Sequence, residues 1–476
     1  MEGRIITFCF LAGAVFLSGC ATLDPKGGVS KTPISPSQPF MGRSPAAENN
    51  AWAISPTADE LSGRTLTLAE CIRIGLERNP QTAGSWEAVR SAAARAGEEK
   101  SAYFPEVNLS TSATREKQVS SQTLKSPQQP SADNFFSTGL ALSYLLFDGG
   151  TRSARVSGAR ADLEALGYQH NATLRNVALK IEQSYFILLA SRWSQQVAEE
   201  TVRNAQYHVR LSQARFDAGL VPRSDVLKAA TEKADTDLAL VSAKNAVRIA
   251  EGTLASTMGL KVSVPIDIAD VPESALAEET EAEAMEQLLA EAMRNRPELL
   301  SAVAKVRSKQ AGIEEARSQY WPKIGANAGY GWGDDSFPPS QDEWSIGLSL
   351  SFPLFTGFKR GYQVERAKTD AEQVKADYVS QLRDVELEVW TAYSKLKEAE
   401  ETIQAAHAFV ASAEESARLA EGEYKAGTGN IIGLIDAQTA LTSARNRLLQ
   451  ARFAWYTARA QFQKSVGRSL TSDTQK

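Results

Sequence analysis

Between residues 344 and 355 the chain reads WSIGLSLSFPLF. Trp344, Ile346, Leu348, Leu350 and Phe352 fall on one side, and Ser345, Gly347, Ser349 and Ser351 on the other. This period-two alternation predicts a β-strand with one apolar face and one small, polar face. Three further segments read alike, at 104–114, 136–147 and 322–332. In the second of these Phe136, Leu140, Leu142, Tyr144 and Leu146 oppose Gly139, Ala141 and Ser143; in the third Ile324, Ala326, Ala328, Tyr330 and Trp332 share a face. Each has about the 9–11 residues that a strand needs to cross a bilayer, with aromatic residues near its ends.

The rest of the pattern is helical. Residues 151–217 and 358–424 carry no proline. Each predicts a helix of about 67 residues, roughly 100 Å long at the standard rise. Shorter helices are predicted at 68–101, 223–258, 284–318 and 431–466, about 35 residues each, so that two stacked end to end match one long one and every chain supplies four equal rods. In the second long helix an apolar stripe runs through Tyr378, Leu382, Val385, Val389, Tyr393, Leu396, Ala399, Ile403, Ala406, Val410, Ala413, Ala417, Ala420 and Tyr424, in steps of three and four. The opposite face is Glu, Lys, Gln and Ser. A stripe this narrow fits a hollow cylinder with one wet face, and a long coiled coil has the same signature.

The order of elements occurs twice. LERNPQ at 76–81 is echoed by MRNRPE at 293–298, and SAYFPEVNLS at 101–110 by SQYWPKIGAN at 318–327, both displaced by 217 positions. LLFDGGTRSARV at 145–156 matches PLFTGFKRGYQV at 353–364, and ARFDAGLVPRSDVLKA at 214–229 matches GEYKAGTGNIIGLIDA at 422–437, both displaced by 208. The first copy therefore has a longer loop between its strands, in the polar Pro/Ser stretch at 119–134, where an insertion at a surface tip is tolerated. Each copy reads helix, strand, loop, strand, long helix, turn, helix.

Four strands cannot build a soluble sandwich here, nor close a barrel, and an open sheet edge cannot exist in lipid. The missing partners must come from further copies of the chain. Two copies give eight strands and a filled interior; three give twelve, wide enough for a pore. The apolar face would then meet lipid and the serines would line water.

Composition narrows the setting. The net charge is −5 with both signs interleaved, which argues against a nucleic-acid partner. Residues 1–20 carry Arg4, an apolar stretch from Ile5 to Leu17 too short to span a bilayer, and then Ser18, Gly19 and Cys20. This resembles the cleavage box of bacterial lipoproteins, with Cys20 becoming the lipidated first residue and the following Ala21 pointing to the outer membrane. Residues 21–64, rich in Pro, Ser and Gly, read as an extended tether. Cys71 then stands alone on an amphipathic helix, which predicts a buried structural thiol and no intrachain disulfide. His170, His208 and His407 are scattered without carboxylate or histidine companions at ligand spacing, and no nucleophile motif or phosphate loop appears, so no enzyme, metal site or cofactor other than lipid is expected.

Over residues 64–467 the duplicated halves, paired strands, long and short helices and Gly-marked turns resemble the TolC family of outer-membrane efflux proteins, here as an outer-membrane-factor lipoprotein. The resemblance implies a mainly α fold with a transmembrane β-barrel portion: a trimeric twelve-stranded barrel continued by a long α-helical periplasmic tunnel. It implies a periplasmic adaptor and an inner-membrane pump as partners. The segments are then a signal peptide (1–19), a lipidated tether (20–64), a first repeat (65–260), a linker or equatorial segment (261–283), a second repeat (284–467) and a tail (468–476). The family assigns adaptor docking to the helix turns, here Gly219 and Leu220, and Gly427 and Thr428. It assigns closure of the entrance to polar links and an aspartate ring, matched here by Asp225, Tyr424 and Asp436. Gly429 replaces a linking arginine and Gly433 a second ring aspartate, which implies a closed state held differently or more loosely. The implied function is passive export of small toxic solutes. Alternatives are the outer-membrane part of a type I protein secretion system and, from another class, a lipid-anchored structural coiled-coil protein.

Overall fold

The computed structural model describes residues 64–116, 133–270 and 284–468. Cys20, the signal and the tether before Arg64 lie outside the described residues, as do most of the first hairpin loop and part of the linker. The elements run β1 (Thr65–Leu66), α1 (Leu68–Arg78), α2 (Pro80–Ser101), β2 (Glu106–Glu116), β3 (Asp133–Phe147), α3 (Thr151–Asp217), α4 (Arg223–Thr257), β4 (Asp267–Ile268), α5 (Met285–Asn295), α6 (Pro297–Ser318), β5 (Lys323–Asp334), β6 (Gln341–Ser351), α7 (Lys359–Ala426) and α8 (Ile431–Val466).

The four long strands form one antiparallel sheet in the order β2-β3-β5-β6, so the two repeats meet at β3 and β5. The register puts like with like. Leu109, Leu140, Tyr330 and Trp344 lie in one row across the sheet, and Val107, Leu142, Ala328 and Ile346 in the next. The alternate rows are small or polar: Asn108, Ala141, Gly329 and Ser345, then Ser110, Gly139, Gly331 and Glu343. A one-residue slip would exchange the faces along a whole strand, so the alternation itself holds the register. Gly331 is needed at the seam between the repeats, because a Cβ there would stand 2.7 Å from the Thr138 carbonyl oxygen and 2.9 Å from Gly139 Cα. On the apolar face Trp344, Ile346, Leu348 and Leu350 are each at least 70 % exposed. β2 and β6 are the two edges.

Strand ends differ from the sequence reading at the prolines. β2 starts at Glu106, after Pro105, rather than at Phe104, and β6 stops at Ser351, short of Phe352-Pro353, instead of reaching Phe355. Proline has no N–H for the ladder.

The long helices have 67 and 68 residues. The predicted helices at 68–101 and 284–318 are each broken once, at Asn79 and Arg296, which adopt extended backbone before Pro80 and Pro297. The residue before a proline is driven out of the helical region, and the proline opens the next helix, where its missing N–H costs nothing. The two breaks are stabilised differently. Asn79 caps α2 by accepting from the Gln81 amide, whereas the buried Arg296 bonds Glu388 at 2.6 Å and Glu298 at 3.4 Å.

The stripe read from the sequence of α7 lies against the core along its length, with Val385, Val389 and Leu396 buried near the middle and Ala406, Ala413 and Ala417 towards the far end. There α7 pairs with α8 through Ala437, Leu441 and Ala444, and α3 pairs with α4. The main core sits where the short helices cross the long ones. Phe186 stacks on Tyr456 with centroids 4.6 Å apart, and the Tyr185 hydroxyl donates to the Ala269 carbonyl at 2.5 Å. The linker is tied in there as well, since β4 pairs in parallel with β1. Cys71 is fully buried, and burial pushes its thiol up to about 12, as a structural thiol requires. Among the described residues no helix is long and apolar enough to cross a membrane.

Candidate functional site at the two helix turns

From the sheet, α3 and α7 run roughly 100 Å before each reverses. The reversals are built alike. Gly219 and Gly427 have φ of 73° and 82°, a left-handed conformation that glycine enters without steric cost. The amide of Leu220 donates to the Arg215 carbonyl at 2.8 Å, and that of Thr428 to the Glu423 carbonyl at 3.0 Å, a six-to-one closure that satisfies the last helical carbonyls. Gly219 and Leu220 thus protrude from one tip, with Leu220 67 % exposed, and Gly427 and Thr428 form the other.

Behind the tips the structure gathers Tyr424 and Asp225. Tyr424 is buried among Ala229, Ile431 and Leu434. Its hydroxyl has no hydrogen-bond partner among the described residues, so no Tyr424–Asp225 bond forms within the chain. Burial pushes the phenol above its ordinary value; the Asp225 carboxylate adds to this and the Arg215 guanidinium opposes it. Asp225 also stands in the first turn of α4, where a carboxylate complements the helix dipole.

Arg215 was not among the residues singled out from sequence. Its guanidinium lies over the Tyr424 ring, 4.9 Å from the centroid, and donates to the Tyr424 carbonyl and, at 3.1 Å, to the Lys425 carbonyl. A cation from α3 therefore caps the end of α7, an arrangement favoured by both the ring quadrupole and the helix dipole. Gly429, where the resemblance put the loss of an arginine, instead lets the chain turn tightly: its amide reaches the Glu423 carbonyl at 3.0 Å, and a Cβ there would meet Glu423 Cβ at 3.0 Å. An arginine is present at the site, but it arrives from the neighbouring helix. Only its place beside a turn hinted at this.

Asp436 is exposed and apart from Tyr424 in chemistry: it forms an acidic group with Glu232 and Asp235 of α4. Burial pushes the Glu232 carboxyl up, and the charges of Asp235 and Asp436 push it further. Neither Glu232 nor Asp235 was singled out from sequence, since on α4 alone they look like two solvated charges. Gly433 takes the capping bond of α8, its amide donating to the Asn430 side chain at 2.8 Å. Among the described residues no group of histidine, cysteine, aspartate or glutamate could hold a metal ion.

An open sheet with one greasy face, standing on paired helical rods that end in glycine turns, defines a channel protein of the TolC type: part barrel, part helical tunnel. Residues 72–260 and 288–468 match the outer membrane efflux protein family, and the chain belongs to it. Several relatives span nearly the whole chain. Protein CyaE of Bordetella pertussis is 26% identical, over 94% of this chain and 91% of that one. The pyoverdine export outer membrane protein OpmQ of Pseudomonas aeruginosa is 24% identical, over 91% and 90%. Among solved structures, the outer membrane protein VceC of Vibrio cholerae superimposes with a TM-score of 0.72 at 18% identity, covering 84% of this chain and 96% of that one. The fold is that of an outer-membrane channel, and the protein is an efflux channel of the outer membrane whose body reaches into the periplasm.

Proposed function

We propose that three copies of the chain close a twelve-stranded barrel and form one passive duct, without catalysis, for small toxic solutes. The observation that carries this is the sheet. Its outer rows of Leu, Ile, Tyr and Trp are exposed, its edges β2 and β6 are the places where further strands would add, and unpaired edge groups are too costly to leave in lipid. The narrow buried stripe of α7 supports a hollow wall over a solid bundle. In this reading the Gly219-Leu220 and Gly427-Thr428 tips meet a periplasmic adaptor that links the duct to an inner-membrane pump, and Cys20 carries lipid as a second anchor. Asp225, Tyr424 and Arg215 hold the entrance closed. Three Asp436 carboxylates, each backed by Glu232 and Asp235, favour cations in the entrance. OpmQ, whose name records export of pyoverdine, supports small solutes as the cargo class.

The test is conductance of the purified protein in a planar bilayer, beside heat-modifiable migration on a gel. A water-filled pore with both properties is expected; their joint absence would return the chain to the structural coiled-coil reading. In the same bilayer Asp436→Asn is expected to reduce cation preference, and an unchanged preference removes Asp436 from that role. Deletion scored by toxic-compound susceptibility and by the profile of secreted proteins separates solute efflux from protein secretion.

A further inference from the structure

His208 lies on α3 about three helical turns before Gly219. It is only 6 % exposed, and neither ring nitrogen has a hydrogen-bond partner among the described residues. An imidazole buried with both nitrogens unpartnered gives up the hydrogen bonds that both made with water, and nothing among the described residues replaces them. A structural histidine normally finds at least one partner, as His170 does with Ser85 at 2.7 Å.

Two charged side chains of the neighbouring long helix act on His208. From α7 come Glu421 and Lys425, paired with each other at 2.5 Å. Lys425 also lies over the Tyr207 ring, 5.4 Å from its centroid. The pair therefore fastens α7 to α3 beside the buried imidazole. Other charges near this end form separate groups: Asp225 of α4 and Arg215 of α3 act on Tyr424, Asp235 of α4 and Asp436 of α8 act on Glu232, and Lys233 pairs with Asp237 and Glu415 with Arg418. The charges that act on His208 are Glu421 and Lys425, in opposite senses.

We propose that His208 is a proton-operated latch on the tunnel entrance: its neutral form fits the closed packing, and its protonated form draws Glu421 away from Lys425 and releases the Lys425–Tyr207 tie. Protonation places a cation beside Tyr207, whose ring centroid lies 5.6 Å from that of His208 and which Lys425 overlies; Glu421 attracts that charge and Lys425 repels it. Glu421 then changes partner, and Lys425, repelled and no longer paired, leaves Tyr207. The tie between α3 and α7 at the tip is lost, and the entrance loosens. The proposal rests on reading this end as the entrance of a duct.

The sign follows from burial. In the closed state burial holds the imidazole below its ordinary 6.5; Glu421 partly offsets this and Lys425 adds to it. In an open state the ring is solvated and returns towards the ordinary value. The closed state thus binds fewer protons, so its advantage is full above the ordinary value and is lost as the pH falls below it. Between pH 7.5 and 5.5 the open population rises up to about tenfold per protomer.

Two measurements on the full-length protein test this. The chain has three histidines, so imidazole NMR of ¹³C-histidine-labelled protein in detergent resolves His170, His208 and His407, with His208→Gln assigning the signal. The His208 midpoint is expected below 6.5, and lower still in Glu421→Gln, which removes the carboxylate that pulls it up. A midpoint at or above 6.5, or one indifferent to Glu421→Gln, overturns the latch. In planar bilayers the open fraction is expected to rise on acidification, and His208→Gln, checked for its heat-resistant oligomer, is expected to flatten that rise. An acid limb that survives His208→Gln but vanishes in Glu182→Gln overturns the proposal in favour of the buried Glu182 carboxyl. If no conductance appears at any pH, the duct reading fails, and the histidine titration still decides the proton step.

Discussion

α3 and α7 occupy equivalent places in the two repeats and have almost the same length, 67 and 68 residues. Yet twenty-three residues of α3 are buried against ten of α7. α3 runs through the middle of the protomer, covered by α1, α2, α4, α6 and α8, while α7 leans mainly on α5, α6 and α8. Leu387, Trp390, Val379 and Leu419 of α7 are at least half exposed. Duplication supplied two similar rods, and their places in the protomer then asked different things of them: α3 became an internal strut, and α7 keeps an exposed apolar flank.

The difference can be broken by substitution. The largest effect is expected from Leu188→Ala on α3, whose side chain is fully buried. Lost transfer energy and the cavity left behind predict a destabilisation of about 2–5 kcal/mol, read from denaturant unfolding followed by far-ultraviolet circular dichroism. Next comes Glu182, also on α3 and buried with one carboxylate oxygen unpartnered. Burial pushes its carboxyl up to about 7 and Arg459 only partly offsets this. The folded chain therefore binds a proton that the unfolded chain, with an ordinary value of 4.5, has released. Stability contributed by this group is complete below 4.5 and is lost as the pH rises to about 7, by roughly 3 kcal/mol. Glu182→Gln is expected to remove that slope and leave a protein more stable than wild type at pH 8; parallel profiles for the two would refute it. The smallest effect on the protomer is expected on α7. Trp390→Ala should change protomer stability by less than about 1 kcal/mol, as an exposed site does, while lowering the trimer fraction in native mass spectrometry. If Trp390→Ala destabilised the protomer as much as Leu188→Ala, the two rods would not differ in the way described.

Much of this architecture was legible because its signals are periodic. Alternation marked all four barrel strands, and the greasy rows met one another in the sheet as their parity required. The two long helices were readable to within about two residues, since no proline interrupts them and glycine stops them. The helix breaks at Asn79 and Arg296 were written in ERNP and NRPE, and were missed because the apolar period continues across both prolines. The entrance residues were harder. Gly219 and Gly427 announce turns by type, but the role of Arg215 exists only because two turns from different repeats stand side by side. His208 offered no companion at ligand spacing, and its significance comes from burial and from charges on a helix more than two hundred residues away.

By itself the sequence determined what is local and repeated: strand parity, rod length, glycine turns and the duplication that makes the protomer nearly symmetric. These follow from side-chain alternation and backbone sterics, which act between near neighbours along the chain. Only the tertiary structure decided that the repeats join at β3 and β5, that α3 is enclosed while α7 is left half open, and that Arg215 caps a helix it does not belong to. Those outcomes depend on which distant surfaces come to share space. Burial and electrostatics then act across that contact, and neither is a property of any single stretch of chain.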